Sequence, residues 1–189
     1  MINSYSDYIE YLKADRISLG RNVTFYALLF DSVWKFQIAL RTYEYLTNCG
    51  WNIVVRGLVY FVYRRLGDRN GASIPKNVFG PGLAIAHAGP IVINSQAKIG
   101  ANCRIHTCVN IGTEAGKTGC APRIGDNCYI GPGAKIFGPV ELGDNVAIGA
   151  NAVVNKDCPE GNCTLGGIPA KIISEKSSCG LLIHGFTGN

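Results

Sequence analysis

From Ile93 to Val154 the chain sets a branched aliphatic residue at every sixth position, with one interruption. The series is Ile93, Ile99, Ile105 and Ile111, then Ile124, Ile130, Ile136, Leu142, Ile148 and Val154. Gly follows the aliphatic at 100, 112, 125, 131, 143 and 149, and a small or compact residue such as Ala97, Cys103, Cys128 or Ala134 precedes it by two. A period of six is neither the 3.6 of a helix nor the 2 of a lone strand. It predicts a short strand with its aliphatic turned inward, followed at once by a turn. Three such units close a triangular coil, and coils stack through parallel ladders about 4.8 Å apart. Identical positions then build an aliphatic column, and the chain reads as a mainly β solenoid. Gly125-Asp126-Asn127 and Gly143-Asp144-Asn145 suit the turns, because Gly and Asn tolerate turn dihedrals.

The period slips twice. Phe79, Ile85 and Ile91 keep a spacing of six but lie out of phase with Ile93, and 13 positions separate Ile111 from Ile124. The second slip predicts that residues 112–123, rich in Gly and mixed in charge, leave the coil as a loop. Excursions from a rigid scaffold are common places for binding residues.

Residues 1–70 read as a helical region, 71–173 as the solenoid and 174–189 as a tail without a clear pattern. Ser4 or Ser6 can cap a helix to about Ala14; a second helix spans about Asp31 to Thr47, and a third about Asn52 to Leu66, closed at Gly67. The run Ile53–Tyr63 holds Arg56 and is too short and too charged to span a membrane. A helix docked on a core or partner subunit is the simpler reading. Arg56, Arg64, Arg65 and Arg69 beside aromatic residues leave a peripheral membrane contact open.

The net charge is +5, of which +3 falls on residues 1–70, with no dense basic cluster, so nucleic-acid binding is not expected. Eight Cys suggest a disulfide scaffold at first, but Cys103 and Cys128 occupy the compact slot of the period. No Cys-x-x-Cys occurs, no metal site is expected, and the first 20 residues lack a signal-peptide pattern. The expected location is a reducing cytoplasm.

Three His are present: His87, His106 and His184. His87 lies in Ile85-Ala-His-Ala-Gly-Pro90, beside the first slip and between small residues that leave room for a ligand. An imidazole suits a general base near neutrality, but it also suits a structural hydrogen bond in a coil corner. His106 stands where Gly usually follows the aliphatic and is expected to project outward, exposed or at a subunit contact. His184 falls in the tail.

The hexapeptide coil, the His beside a slip, the excursion and the terminal Gly166-Gly-Ile-Pro-Ala-Lys171 together resemble the hexapeptide acyltransferases, and within them the serine O-acetyltransferase family. The likeness covers about Ile74 to Ile173. It implies a left-handed parallel β-helix, use of acetyl-CoA and a homotrimer with sites between subunits. Ile85–Asn94 resembles the family's segment around its catalytic His, which gives that role to His87. Ile130–Ile136 and Ile148–Val154 resemble its cofactor-side coils. The resemblance then implies pantetheine contacts near Gly131, Ala134 and Gly149, an oxyanion-stabilising N–H near Gly112 and Thr113, and phosphate contacts from Lys171 and Lys156.

Three positions depart from the family pattern. Ser73 stands where the family has an Asp that orients the imidazole, Ala86 where it has an Asp that meets the serine amino group, and Ala121 where it has a His that meets the carboxylate. Loss of charged contacts weakens recognition of a zwitterion. The acceptor is therefore expected to be L-serine by overall likeness, or a sugar or polysaccharide hydroxyl by the substitutions at these positions.

Overall fold

A computed structural model describes residues 1–20, 30–117 and 119–188. Among the described residues, three helices precede the coil. Helix α1 (Tyr5–Ser18) starts at Ser4, whose hydroxyl accepts from the Asp7 N–H. Helix α2 (Ser32–Asn48) starts at Asp31, whose carboxylate accepts from the N–H groups of Val33 and Trp34. Helix α3 (Ile53–Asn70) starts at Asn52. Two of the expected ends are corrected: α1 continues four residues past Ala14, and α3 runs through Gly67 to close at Gly71. Gly71 takes the left-handed conformation (φ 69°) that ends helices, whereas Gly67 packs against Phe36 inside the helix.

The coil that follows is a left-handed parallel β-helix with three faces. The first face stacks β1 (Ala72–Ser73), β3 (Ile91–Ile93), β6 (Val109–Gly112), β9 (Lys135–Phe137) and β12 (Val153–Val154). The second stacks β4 (Lys98–Ile99), β7 (Arg123–Ile124) and β10 (Glu141–Leu142). The third stacks β2 (Ala84–Ile85), β5 (Arg104–Ile105), β8 (Tyr129–Ile130), β11 (Ala147–Ile148) and β13 (Thr164–Gly167). Strand β14 (Ala170–Ser174) folds back antiparallel on β13 and ends the stack. Register follows the sequence period. Ile93, Ile111, Ile136 and Val154 form one buried column; Phe79, Ile99, Ile124 and Leu142 a second; Ile85, Ile105, Ile130, Ile148 and Leu165 a third.

These columns are the core. Ile130 is fully buried in the middle of the third column. Ile130→Ala should cost about 2–5 kcal/mol through lost burial and a cavity that stacked neighbours cannot close. Equilibrium urea unfolding measures it, and a cost near zero would contradict the column packing.

Both slips resolve into corners. Eight positions carry the chain from Ile85 in the third column to Ile93 in the first, where later coils take six. The extra length widens the corner at Ala86–Pro90, and Ile91 and Ile93 are both buried. The second slip is a loop between the first and second faces, shorter than expected at both ends: Gly112 belongs to β6 and Arg123 to β7.

The tail has a definite place. The Ser178 N–H donates to Asn145 O, the Phe186 N–H to Asn102 Oδ1, and Asn102 Nδ2 to Phe186 O. Asn102, Asn127, Asn145 and Asn162 form a side-chain ladder on the corner between the second and third faces, and the tail lies along it. All eight Cys are free thiols. Burial raises the Cys103 thiol well above its ordinary value and pushes Cys128 up to about 12, which suits packing groups rather than nucleophiles. Among the described residues, no helix is long and apolar enough to cross a membrane.

Candidate functional site

The widened corner sets His87 at the surface. Its backbone is fixed from both sides: the Ala86 N–H donates to Ile105 O (3.0 Å), and the Gly89 N–H donates to Asn70 O at the end of α3 (2.9 Å). Gly89 is required, because a side chain there would strike Thr107 of the next coil. The Cys108 N–H donates to Pro90 O, closing this corner on the one above it. His87, Ala88 and Gly89 face a narrow crevice against Val33, Phe36 and Asn70. The imidazole itself is exposed.

Three rings on successive coils form a short stack here. The His87 and His106 rings are 6.4 Å apart and inclined at 55°; His106 and Tyr129 are 5.0 Å apart at 56°. This corrects the fully exposed placement expected for His106. Its ring is half-buried between its neighbours, and its Nε2 is buried without a hydrogen-bond partner among the described residues. Burial foremost, then the charges of Arg104 and His87, holds the His106 imidazole below its ordinary value of 6.5. The unfolded chain therefore takes up this proton at higher pH than the native state does. The stability this contributes is complete above pH 6.5 and is lost as pH falls from there toward the native value. In proton NMR His106 should titrate on the acid side of 6.5, and His106→Gln should flatten the slope of stability against pH in that window. A titration at or above 6.5 would contradict the stacked geometry.

The residues expected at the acceptor do not converge on His87. Ser73 is exposed on the first face, in an outward row with Val92, Asn110, Lys135 and Val153, and no hydrogen bond joins it to His87. Ala86 is buried, and Ala121 packs half-buried against the core under the excursion loop. No charged side chain stands at any of the three.

The residues expected at the donor separate into groups. Gly112 and Thr113 line a groove of about 410 Å³ on the first face, with Asn110, Lys135, Phe137 and Val153. Gly131, Ala134 and Gly149 lie at the corner below His87. The Gly131 and Gly149 N–H groups donate to Ile148 O and Leu165 O of the next coil, and the Ala134 N–H donates to Gly131 O within its own turn. These three N–H groups are thus engaged within the fold. Lys156 follows β12, Lys171 sits on β14, and both are exposed.

A larger groove, about 790 Å³, runs along the second face past Lys98, Arg123, Glu141, Asp126 and Asp144. It holds none of the expected residues. Two of its carboxylates are structural: Asp126 accepts from the Ala101 N–H and Asp144 from the Asp126 N–H. Among the described residues, no cluster of three or more His, Cys, Asp or Glu is arranged to hold a metal ion.

Comparison with known proteins gives a consistent result. Residues 121–156 match the family model described as bacterial transferase hexapeptide (six repeats). The serine acetyltransferase of Staphylococcus aureus strain Mu50 is 32% identical over 154 residues, covering 81% of this chain and 68% of that protein. The serine acetyltransferase of Mycobacterium tuberculosis strain H37Rv is 36% identical over 146 residues, 76% of this chain and 60% of that protein. Against some relatives the chain therefore spans less than two thirds of their length. Among solved structures, serine acetyltransferase from Brucella abortus strain S19 in complex with coenzyme A superposes with a TM-score of 0.73 at 25% identity, over 91% of this chain and 68% of that one. Soybean serine acetyltransferase complexed with serine gives 0.70 at 28% identity, over 89% and 68%.

Proposed function

The chain belongs to the serine acetyltransferase family, and from that premise we propose that it transfers acetyl from acetyl-CoA to the hydroxyl of L-serine. The observation that carries the chemistry is His87: an exposed imidazole on a rigid, widened corner, with no side-chain hydrogen bond among the described residues. As general base it takes the hydroxyl proton while the oxygen attacks the thioester carbonyl. The tetrahedral intermediate collapses with cleavage of the C–S bond, and the proton passes from His87 to the departing thiolate. The Thr113 backbone, at the first-face groove, is the candidate oxyanion donor. Lys156 and Lys171 are the candidate phosphate contacts.

In this reading the transferase domain is 71–173, the helical region 1–70 and the tail 174–189. The protein works in the cytoplasm as a homotrimer. A neighbouring copy completes a site that one copy leaves open, since His87 and the Thr113 groove lie at opposite ends of the first face. Its other partner is a membrane surface at α3.

A second reading follows from Ser73, Ala86 and Ala121, which place no charge where a zwitterionic acceptor needs it. It keeps the chemistry and replaces serine by a sugar or polysaccharide hydroxyl. Purified protein, acetyl-CoA and a thiol reagent separate the two. Thiol release on adding L-serine supports the first; release with sugars and none with serine transfers the assignment to the second.

A further inference from the structure

Helix α3 buries Tyr63, Gly67 and Asn70 on one side and turns an unusual stripe outward on the other. The stripe reads Val54, Leu58, Phe61, Arg65, Arg69 at spacings of three and four residues, so these side chains share one face. Val54, Leu58 and Phe61 are each about two-thirds exposed, and Ile53 and Val62 widen the apolar half. Exposed Trp51 and Tyr60 flank it. The basic half follows at once. The one acid of α3, Asp68, is engaged by Arg64 at 3.7 Å, and among the described residues no ion pair joins Arg65 or Arg69.

We propose that this face of α3 docks the protein on an anionic lipid bilayer. The docking rests on the peripheral contact read above and does not depend on which acceptor is correct. An interfacial helix buries apolar side chains at the acyl boundary and keeps cations at headgroup phosphates. The stripe meets both demands at once, with Trp51 and Tyr60 at the level where amphipathic rings favour the interface. A second copy packed stripe on stripe meets them less well. Antiparallel overlap of two stripes sets Arg65 and Arg69 over Val54 and Leu58 of the other copy with no carboxylate, and parallel overlap sets Arg against Arg. Either leaves desolvated charge unpaired.

The arrangement also relates docking to the candidate site. Asn70, the last residue of α3, accepts the Gly89 N–H two residues from His87. The carboxyl end of α3 therefore adjoins the corner that carries the imidazole.

The test uses the full chain, sedimented with vesicles of phosphatidylcholine alone and with one-quarter phosphatidylglycerol. Binding should appear with the anionic vesicles and weaken in high salt. Arg65→Gln/Arg69→Gln should weaken it about thirty-fold, at about fivefold per cation. Leu58→Asp/Phe61→Asp should reduce it to background, and because both side chains are exposed the fold should survive, as circular dichroism will show. Equal sedimentation with neutral and anionic vesicles, or unchanged binding by both variants, overturns the proposal. So does a fall in particle mass of Leu58→Asp/Phe61→Asp by light scattering, which gives the face to a second copy. Vesicle binding and thiol release are separate readouts, so failure of one leaves the other standing.

Discussion

His87→Ala should lower the rate of thiol release from acetyl-CoA by about 10²–10⁴-fold, the range supplied by a positioned general base. The fold should be untouched, because the ring is exposed and the corner is held by the backbone bonds of Ala86 and Gly89 rather than by the imidazole. The loss should fall on kcat, with little change in KM for acetyl-CoA, since proton removal belongs to the transition state and not to donor binding. His87→Gln keeps a polar group of similar reach but cannot take the proton, so it should be nearly as slow. His106→Gln offers the contrast. It removes a stacked neighbour but not the base, and should cost far less. A His87→Ala protein that retains its native spectrum and turns over at the wild-type rate would remove the base from the mechanism, and with it the reading of the widened corner.

The second large effect concerns a residue far from the chemistry. Arg41→Met should destabilise the protein by about 3–5 kcal/mol, the usual result of breaking a buried ion pair from one side. Arg41 is fully buried on α2, and all five of its N–H donors are used. Its Nε and Nη2 reach the two oxygens of Asp15 on α1 (2.8 and 3.2 Å), and Nη1 reaches Glu44 (3.0 Å). The remaining donors go to Phe79 O and Gly80 O (3.0 and 2.7 Å) in the first coil. Asp15 in turn accepts from the Gly82 and Leu83 N–H groups, and Glu44 from that of Asn77. The cluster thus fastens two helices to the open end of the β-helix, and its carboxylates hold its guanidinium firmly charged despite burial. Met leaves Asp15 and Glu44 buried without a cation. Arg41→Lys keeps the charge but brings at most three donors, and should give an intermediate loss. Urea midpoints measure both, and a loss below about 1 kcal/mol for Arg41→Met would contradict an anchoring role.

Much of the coil was legible because every coil repeats the same steric demand. An inward aliphatic is needed wherever columns stack, so Ile105, Ile130 and Ile148 declare themselves by spacing alone. His87 was legible for a related reason: it sits where that spacing fails, and a failed period marks a corner of different length. The Arg41 cluster was not legible, because Asp15, the Arg41–Glu44 pair and Gly82 lie far apart in sequence and no periodicity links the three segments. His106 was misjudged on similar grounds. Its position after Ile105 gives the direction of its backbone, but not that Tyr129 lies beneath it and His87 above.

Local periodicity by itself determined the solenoid, its core columns and the two places where the coil is interrupted, since these depend on what each residue demands of its neighbours six positions away. Tertiary structure decided which polar groups remain free. The N–H groups of Gly131 and Gly149 look available in the sequence and are consumed when one coil stacks on the next. The tail looks featureless and finds an Asn ladder that exists only after stacking. A hydrogen bond needs both partners in place, and in this chain the second partner is brought by the coil above or below.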